Sequence, residues 1–209
     1  MTDLPDRPHV TITTDGACRG NPGPGGWAAL LEIQRAGRTI EKLVTGEEPS
    51  VITNNAMELQ GVIGGLTVLN RPCQVTLRLD STYVLQGVER LVAGSRLSPS
   101  MKNYDRWIQL ETALQPHTVT CEWVRGHNGD PRNERVDAAA NQAAQRAYEL
   151  AEAQRKTQQG NAPDQGWTLA ICSPASSHRH GGCSTPQRPL SAEKFLSVGS
   201  QNQPPCGKR

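Results

Sequence analysis

The chain has 209 residues, with 22 Lys and Arg against 20 Asp and Glu, a formal net charge of +2. No apolar run approaches the roughly 20 residues of a membrane helix. The polar start MTDLPDRP carries neither the apolar centre of a secretory signal nor the Arg-rich pattern of an organelle transit peptide. Membrane-spanning and secreted classes are excluded on this reading, and a cytoplasmic protein that does not engage a membrane is expected.

The averages hide two unlike segments. Residues 1–150 hold 15 basic and 17 acidic side chains, whereas residues 151–209 hold 7 and 3 and are rich in Pro, Gly, Ser and Gln. With so few large apolar residues, the second segment cannot offset its own chain entropy by burial. The expected organisation is a folded domain over 1–153 and a low-complexity, disordered extension over 154–209. Its dispersed positive charge reads as solubilising, the alternative being salt-sensitive, nonspecific affinity for a polyanion. Cys18, Cys73, Cys121, Cys172, Cys183 and Cys206 form no CxxC pair, which points to free thiols in a reducing compartment. Cys172, His178, His180 and Cys183 offer four zinc-binding atoms, but at a spacing that matches no common zinc finger.

In chain order, residues 10–14 alternate as a strand, and Asp15-Gly16 reads as its end. The Gly/Pro-rich run 19–26 reads as neither helix nor strand interior. Residues 27–33 and 38–45 are two further strands around a turn at 35–37, which makes an antiparallel meander. Leu59, Val62, Ile63, Leu66 and Leu69 form one apolar stripe of a helix over 53–69. Thr53 or Asn54 is its cap, and Gly61 and Gly65 imply close packing against other backbone. A strand over 75–79, helices over 81–92 and 103–114, and a strand over 118–124 follow. Pro131 then opens a last helix that runs to about residue 153. The order β-β-β-α-β-α-α-β-α implies an α/β fold, a five-stranded mixed sheet flanked by helices. Trp27 and Trp123 are expected in its core.

Four carboxylates fall in four different elements: Asp15 ends the first strand, Glu58 lies on the first helix, Asp80 ends the fourth strand and Asp137 starts the last helix. Each alone has an ordinary explanation as a turn, cap or surface residue. Strands one and four are both expected to be central, however, which sets Asp15 beside Asp80 with both helices over the same end. A gathered quartet would repel itself and raise its own pKa values. Mg²⁺, a hard cation that keeps several waters, removes that penalty. Two such ions about 4 Å apart would serve in-line phosphodiester attack.

These residues also carry a family resemblance. The runs TDGACRGNPGPGG (14–26), TNNAMEL (53–59), LDSTYV (79–84), WVRGH (123–127) and NERVD (133–137) together resemble ribonuclease H, type 1, across about residues 9–150. The resemblance implies a ribonuclease H-like sheet in an endonuclease that hydrolyses the RNA strand of RNA–DNA hybrids, leaving 5′-phosphate and 3′-hydroxyl ends. It further implies that Asp15, Glu58, Asp80 and Asp137 bind two Mg²⁺ ions, with Mn²⁺ as a substitute. His127 would assist proton transfer or product release. Asn21, Asn54 and Asn55 match positions that contact the hybrid's sugars and base edges, with the Gly-rich loop at 20–26 allowing close backbone approach. Thr53 and Asn103 match a pocket for one DNA-strand phosphate, and the partner is the hybrid, bound by a monomer. Trp107 reads either as core or as a neighbour of the DNA path.

Two departures stand out. The stretch 92–102 is short and carries two positive charges where some bacterial members have a long basic protrusion, and Thr82 stands where many members have Gln. Two rival readings keep part of this picture. One retains the fold and metals with a different nucleic-acid substrate, as in resolvases and integrases. The other is a non-enzymatic hybrid binder, against which an intact acidic quartet argues, because it repels phosphate.

Overall fold

The computed structural model describes residues 7–126 and 129–160, the last two by their backbone alone. The elements in chain order are β1 (His9–Cys18), β2 (Gly23–Arg35), β3 (Arg38–Ile52), α1 (Asn54–Thr67), β4 (Gln74–Leu79), α2 (Thr82–Val92), α3 (Tyr104–Leu114), β5 (Thr118–Trp123) and α4 (Pro131–Gly160). They occur in the expected order. The five strands form one sheet, β3-β2-β1-β4-β5. β1–β2 and β2–β3 pair antiparallel, while β1–β4 and β4–β5 pair parallel. β1 is therefore central, flanked by the meander on one side and by the helix-connected strands on the other.

The alternation of side chains along the strands divides the molecule into two layers of contact. On one face Ile12, Ala29, Leu31, Val75 and Leu77 pack with Leu59, Val62 and Leu66 of α1 and with Val84, Val88, Trp107 and Leu110 of α2 and α3. On the other, Ala28 and Leu30 meet Val136, Ala139 and Ala140 of α4. The small side chains of α4 let it lie close to the sheet. A Cβ on Gly26 would stand 2.2 Å from the Ala144 amide nitrogen.

Several boundaries differ from the sequence reading, each for a physical reason. β1 does not stop at Asp15-Gly16 but pairs on to Cys18, opposite Gly25. Residues 23–26 are not a loop but the buried start of β2, with a register shift between Gly23 and Gly25 that accommodates Pro24. The missing side chains of Gly25 and Gly26 admit Met57, Ile52 and α4, while Gly23 packs against the Arg19 carbonyl. Only residues 19–22 remain as a surface turn. β3 runs to Ile52, beyond the expected 45. α4 continues to Gly160 rather than ending near residue 153, because residues 152–158 are good helix formers and Arg155 pairs with Glu152 one turn back.

Trp27 is partly buried against the main core, and Trp107 lies fully inside it. Trp123 is 53% exposed, contrary to expectation, because it is the last residue of the edge strand β5. Among the described residues no helix is long and apolar enough to cross a membrane. Residues 161–209, with the Cys172, His178, His180 and Cys183 set, lie outside the described residues.

Candidate active site

The site forms where the carboxyl ends of β1 and β4 lie side by side. The parallel register pairs Thr13 with Arg78, so the strand directions carry Asp15 and Asp80 to the same level two residues on. Glu58 reaches this level because α1 comes very close to β1. A Cβ on Gly16 would stand 2.3 Å from the Glu58 amide nitrogen, so only glycine allows the contact. Asp137 comes from the opposite face on α4. All four carboxylates, with Asn54, Ser81 and Asn141, line one open cavity of about 390 Å³.

Each acid is held on one side by a neighbour. Asp15 Oδ1 accepts the Gly16 amide at 2.7 Å. Glu58 accepts from Asn54 Nδ2 at 3.1 Å and from the Ser81 hydroxyl at 2.5 Å. Asp80 Oδ2 accepts from Asn133 Nδ2 at 3.4 Å, and Asp137 Oδ1 from Asn141 Nδ2 at 2.9 Å. None of the four is paired with a cation among the described residues. Burial pushes the Asp15 carboxyl up to about 8, and the charges of Asp80, Asp137 and Glu58 push in the same direction. The Glu58 carboxyl is also raised, first by burial and then by Asp80, against the opposing bonds from Ser81 and Asn54. The cluster thus carries uncompensated negative charge.

Such a donor set suits a hard cation. It offers only carboxylate oxygens, anchored at one atom and with lone pairs free toward the cavity. Among the described residues, no group of three His, Cys, Asp or Glu side chains is drawn together tightly enough to form a finished metal cage. Waters or substrate oxygens would complete the shell of an ion held here.

Of the residues expected at a substrate interface, Asn54 lines this cavity. Asn21 is exposed in the 19–22 turn, and its Oδ1 accepts the Asn54 amide at 3.2 Å, tying that turn to the start of α1. Asn54 thereby connects Asn21 to Glu58, and Asn55 is exposed beside it. Thr53 is the N-cap of α1 by backbone position, but its side chain makes no cap hydrogen bond. Asn103 is the N-cap of α3 in the left-handed conformation and donates to the Tyr83 hydroxyl. Thr53 and Asn103 are not hydrogen-bonded to each other. Trp107, buried and donating from Nε1 to the same hydroxyl, belongs to the core. His127 lies outside the described residues, while Gly126 next to it packs its backbone against Asp80.

Sequence reasoning missed the three supporting residues. Ser81 serves α2 as cap, accepting from Val84 N, and serves Glu58 as donor. Its position after Asp80 signals only the first role. Asn141 was visible as the i+4 neighbour of Asp137. Asn133 carried no local signal, because its contact with Asp80 spans 53 positions.

Comparison with known proteins places this geometry. The ribonuclease H family model matches residues 7–145. Ribonuclease H of Polaromonas naphthalenivorans (strain CJ2) is 46% identical over 162 residues, covering 70% of this chain and 98% of that protein. LC9-RNase H1, a type 1 RNase H with the type 2 active-site motif, aligns with a TM-score of 0.61 at 32% identity, over 68% of this chain and 74% of that one. LC11-RNase H1, solved in complex with an RNA/DNA hybrid, shares the fold at a TM-score of 0.50 and 21% identity, over 66% of this chain and 98% of that one.

Proposed function

The chain belongs to the ribonuclease H family, and on that premise we propose that it hydrolyses the RNA strand of RNA–DNA hybrids endonucleolytically, leaving 5′-phosphate and 3′-hydroxyl ends. The observation that carries this reading is the gathering of Asp15, Glu58, Asp80 and Asp137 around one cavity with an asparagine-lined rim. Asp15, Glu58, Asp80 and Asp137 are the residues that would hold Mg²⁺, two ions in the working state, with Mn²⁺ able to substitute. When bound, the metal supplies a nucleophilic water and stabilisation of the leaving oxygen.

The chain's own residues do the rest. Asn21, Asn54 and Asn55 stand where a minor groove would be read, each with donor and acceptor atoms suited to 2′-hydroxyls and base edges. Because Asn54 also donates to Glu58, groove contact and carboxylate orientation share one side chain. Ser81 and Asn141 keep Glu58 and Asp137 turned toward the cavity. Thr53 and Asn103 would contact a phosphate of the DNA strand, and His127 would assist proton transfer or product release. The protein is read as a cytoplasmic monomer whose folded unit is the expected 1–153 extended to residue 160 by α4.

A cleavage assay tests the proposal. Labelled RNA–DNA, RNA–RNA and DNA–DNA duplexes are incubated with Mg²⁺ and then with EDTA. Cutting of the hybrid alone is expected, abolished by EDTA and by Asp15→Asn or Asp80→Asn. Cleavage that survives either substitution refutes the metal site, and cutting of the DNA duplex reassigns the substrate.

A further inference from the structure

The exposed arm of the site contains a side chain that the proposed chemistry does not use. The Tyr83 hydroxyl, in the first turn of α2, receives the Trp107 Nε1–H at 3.0 Å and an Asn103 Nδ2–H at 3.2 Å, and donates to the Lys102 carbonyl at 3.3 Å. A phenol has one hydrogen to give. With that hydrogen on Lys102 and the indole N–H already directed at the oxygen, Tyr83 can meet Asn103 only as an acceptor. The Asn103 carboxamide is therefore fixed with its nitrogen toward Tyr83, and its second N–H is left free. Tyr83 is the only hydrogen-bonding partner of that side chain among the described residues. Asn103 itself holds a left-handed backbone conformation, φ 60° and ψ 31°, and its side chain makes no capping bond to its helix.

The phenol is in turn held firmly. Its ring meets Trp107 edge-on with centroids 5.6 Å apart. The indole lies against α2 so closely that a Cβ on Gly87 would stand 2.0 Å from it. Two residues before Tyr83, Ser81 donates to Glu58. The first turn of α2 thus grips Glu58 with one side chain and Asn103 with another.

We propose that Tyr83 is a positioning residue for nucleic-acid binding: its hydroxyl orients the Asn103 carboxamide so that one N–H is presented to a strand phosphate, at a spacing from Glu58 set by the first turn of α2. The inference rests on the reading of Asn103 as a phosphate contact, and it makes Tyr83 the reason that contact is preformed rather than induced. A phenylalanine here would fill the same space and pack the same indole, but would leave Asn103 free to rotate.

The test compares wild type, Tyr83→Phe, Asn103→Ala, the double variant and Leu110→Ala in hybrid cleavage, with Tyr148→Phe as a distant control. Thermal melts are recorded for all. Tyr83→Phe is expected to raise KM for hybrid about five- to tenfold with a much smaller change in kcat, the size of one net hydrogen bond. Asn103→Ala should do the same, and the double variant should be no worse than either, because both remove one interaction. Leu110→Ala, a core truncation that touches none of these hydrogen bonds, should lower the melting temperature while leaving KM near wild type, which separates positioning from stability. If Tyr83→Phe keeps the wild-type KM while Asn103→Ala weakens binding, the positioning role is overturned and the phosphate contact stands. If Asn103→Ala also binds normally, the contact itself falls, and the inference with it. Should Tyr83→Phe fail to fold, the Asn103 side-chain amide signals of the wild-type protein decide by NMR. One Nδ2 proton protected from solvent exchange and the other shifted by a short hybrid are expected; two Nδ2 protons that exchange with solvent alike overturn the proposal.

Discussion

The carboxylate cluster should make the metal-free protein less stable as pH rises, and Asp15 is the residue through which to measure this. In the unfolded chain Asp15 loses its proton near the ordinary value of 3.8, whereas in the folded protein it holds the proton up to about 8. Between those values the folded state binds a proton that the unfolded state has released. Stability therefore falls with rising pH across that window, with the full cost present above it. At about 1.4 kcal/mol per pH unit, the gap sets a ceiling of about 6 kcal/mol. Because the side chain opens onto a solvent-filled cavity, screening lowers the expected cost to about 2 kcal/mol.

Asp15→Asn removes the titrating group without changing its shape. In EDTA, the variant should match wild type at pH 4 and exceed it by about 2 kcal/mol at pH 8.5. Urea unfolding at several pH values, with equal m-values, measures the difference. Adding excess Mg²⁺ at the higher pH should stabilise wild type and close the gap, since a ligand that binds only the folded state shifts the equilibrium toward it. A difference between the two proteins that is constant from pH 4 to 8.5 would refute the reasoning, because it would mean that Asp15 does not feel its neighbours.

Other consequences are more local. Gly16→Ala should destabilise by about 3 kcal/mol and abolish cleavage, since its Cβ meets the Glu58 backbone, whereas Gly37→Ala, with nothing within 4 Å, should cost only about 1 kcal/mol for its positive φ; urea titrations separate them. Ser81→Ala should lose about 1 kcal/mol of stability as a cap and lower kcat about tenfold through Glu58, with little change in KM. Trp123→Ala should shift stability by less than about 0.5 kcal/mol because the indole is exposed, against the 3–5 kcal/mol of a buried Trp. Asp130 is bonded to Arg78 and caps α4 through the Arg132 amide, so its carboxyl lies below the usual range. Its stabilisation is present above pH 3.8 and lost as pH falls through the lower folded value. Asp130→Asn should therefore be less stable at neutral pH and converge with wild type in acid, as read by circular dichroism.

How much of this was legible follows from the range of the interactions involved. The alternation in β1, β4 and β5 and the apolar stripe of α1 are local patterns, and they were sufficient for element order and for placing β1 and β4 at the centre. Helix starts at Asn54, Thr82 and Pro131 were legible for the same reason. The Gly-rich run was misread because glycine and proline in sequence signal a turn, while here Gly25 and Gly26 are small so that Met57, Ile52 and α4 can approach a strand. Trp123 was misread because a Trp in an alternating strand looks buried, and only sheet order shows that β5 is an edge. Asn133 and Tyr83 act across long stretches of chain, and their hydrogen bonds have no local signature.

The same distinction explains how the fold tolerates its site. Four uncompensated carboxylates oppose folding, so they must be carried by elements whose own packing is secure. Asp15 sits toward the carboxyl end of β1 and Asp80 directly after β4, with Glu58 and Asp137 on the helices that cover both faces of the sheet. The repulsion is concentrated at one end of the sheet, while the apolar layers behind it lie away from the charges. A single acid moved toward the middle of β1 would face those layers, with neither solvent nor cation to relieve it. Charge gathered at the sheet end stays open to solvent, and the stability lost to repulsion in the metal-free protein would become part of its affinity for a cation bound there.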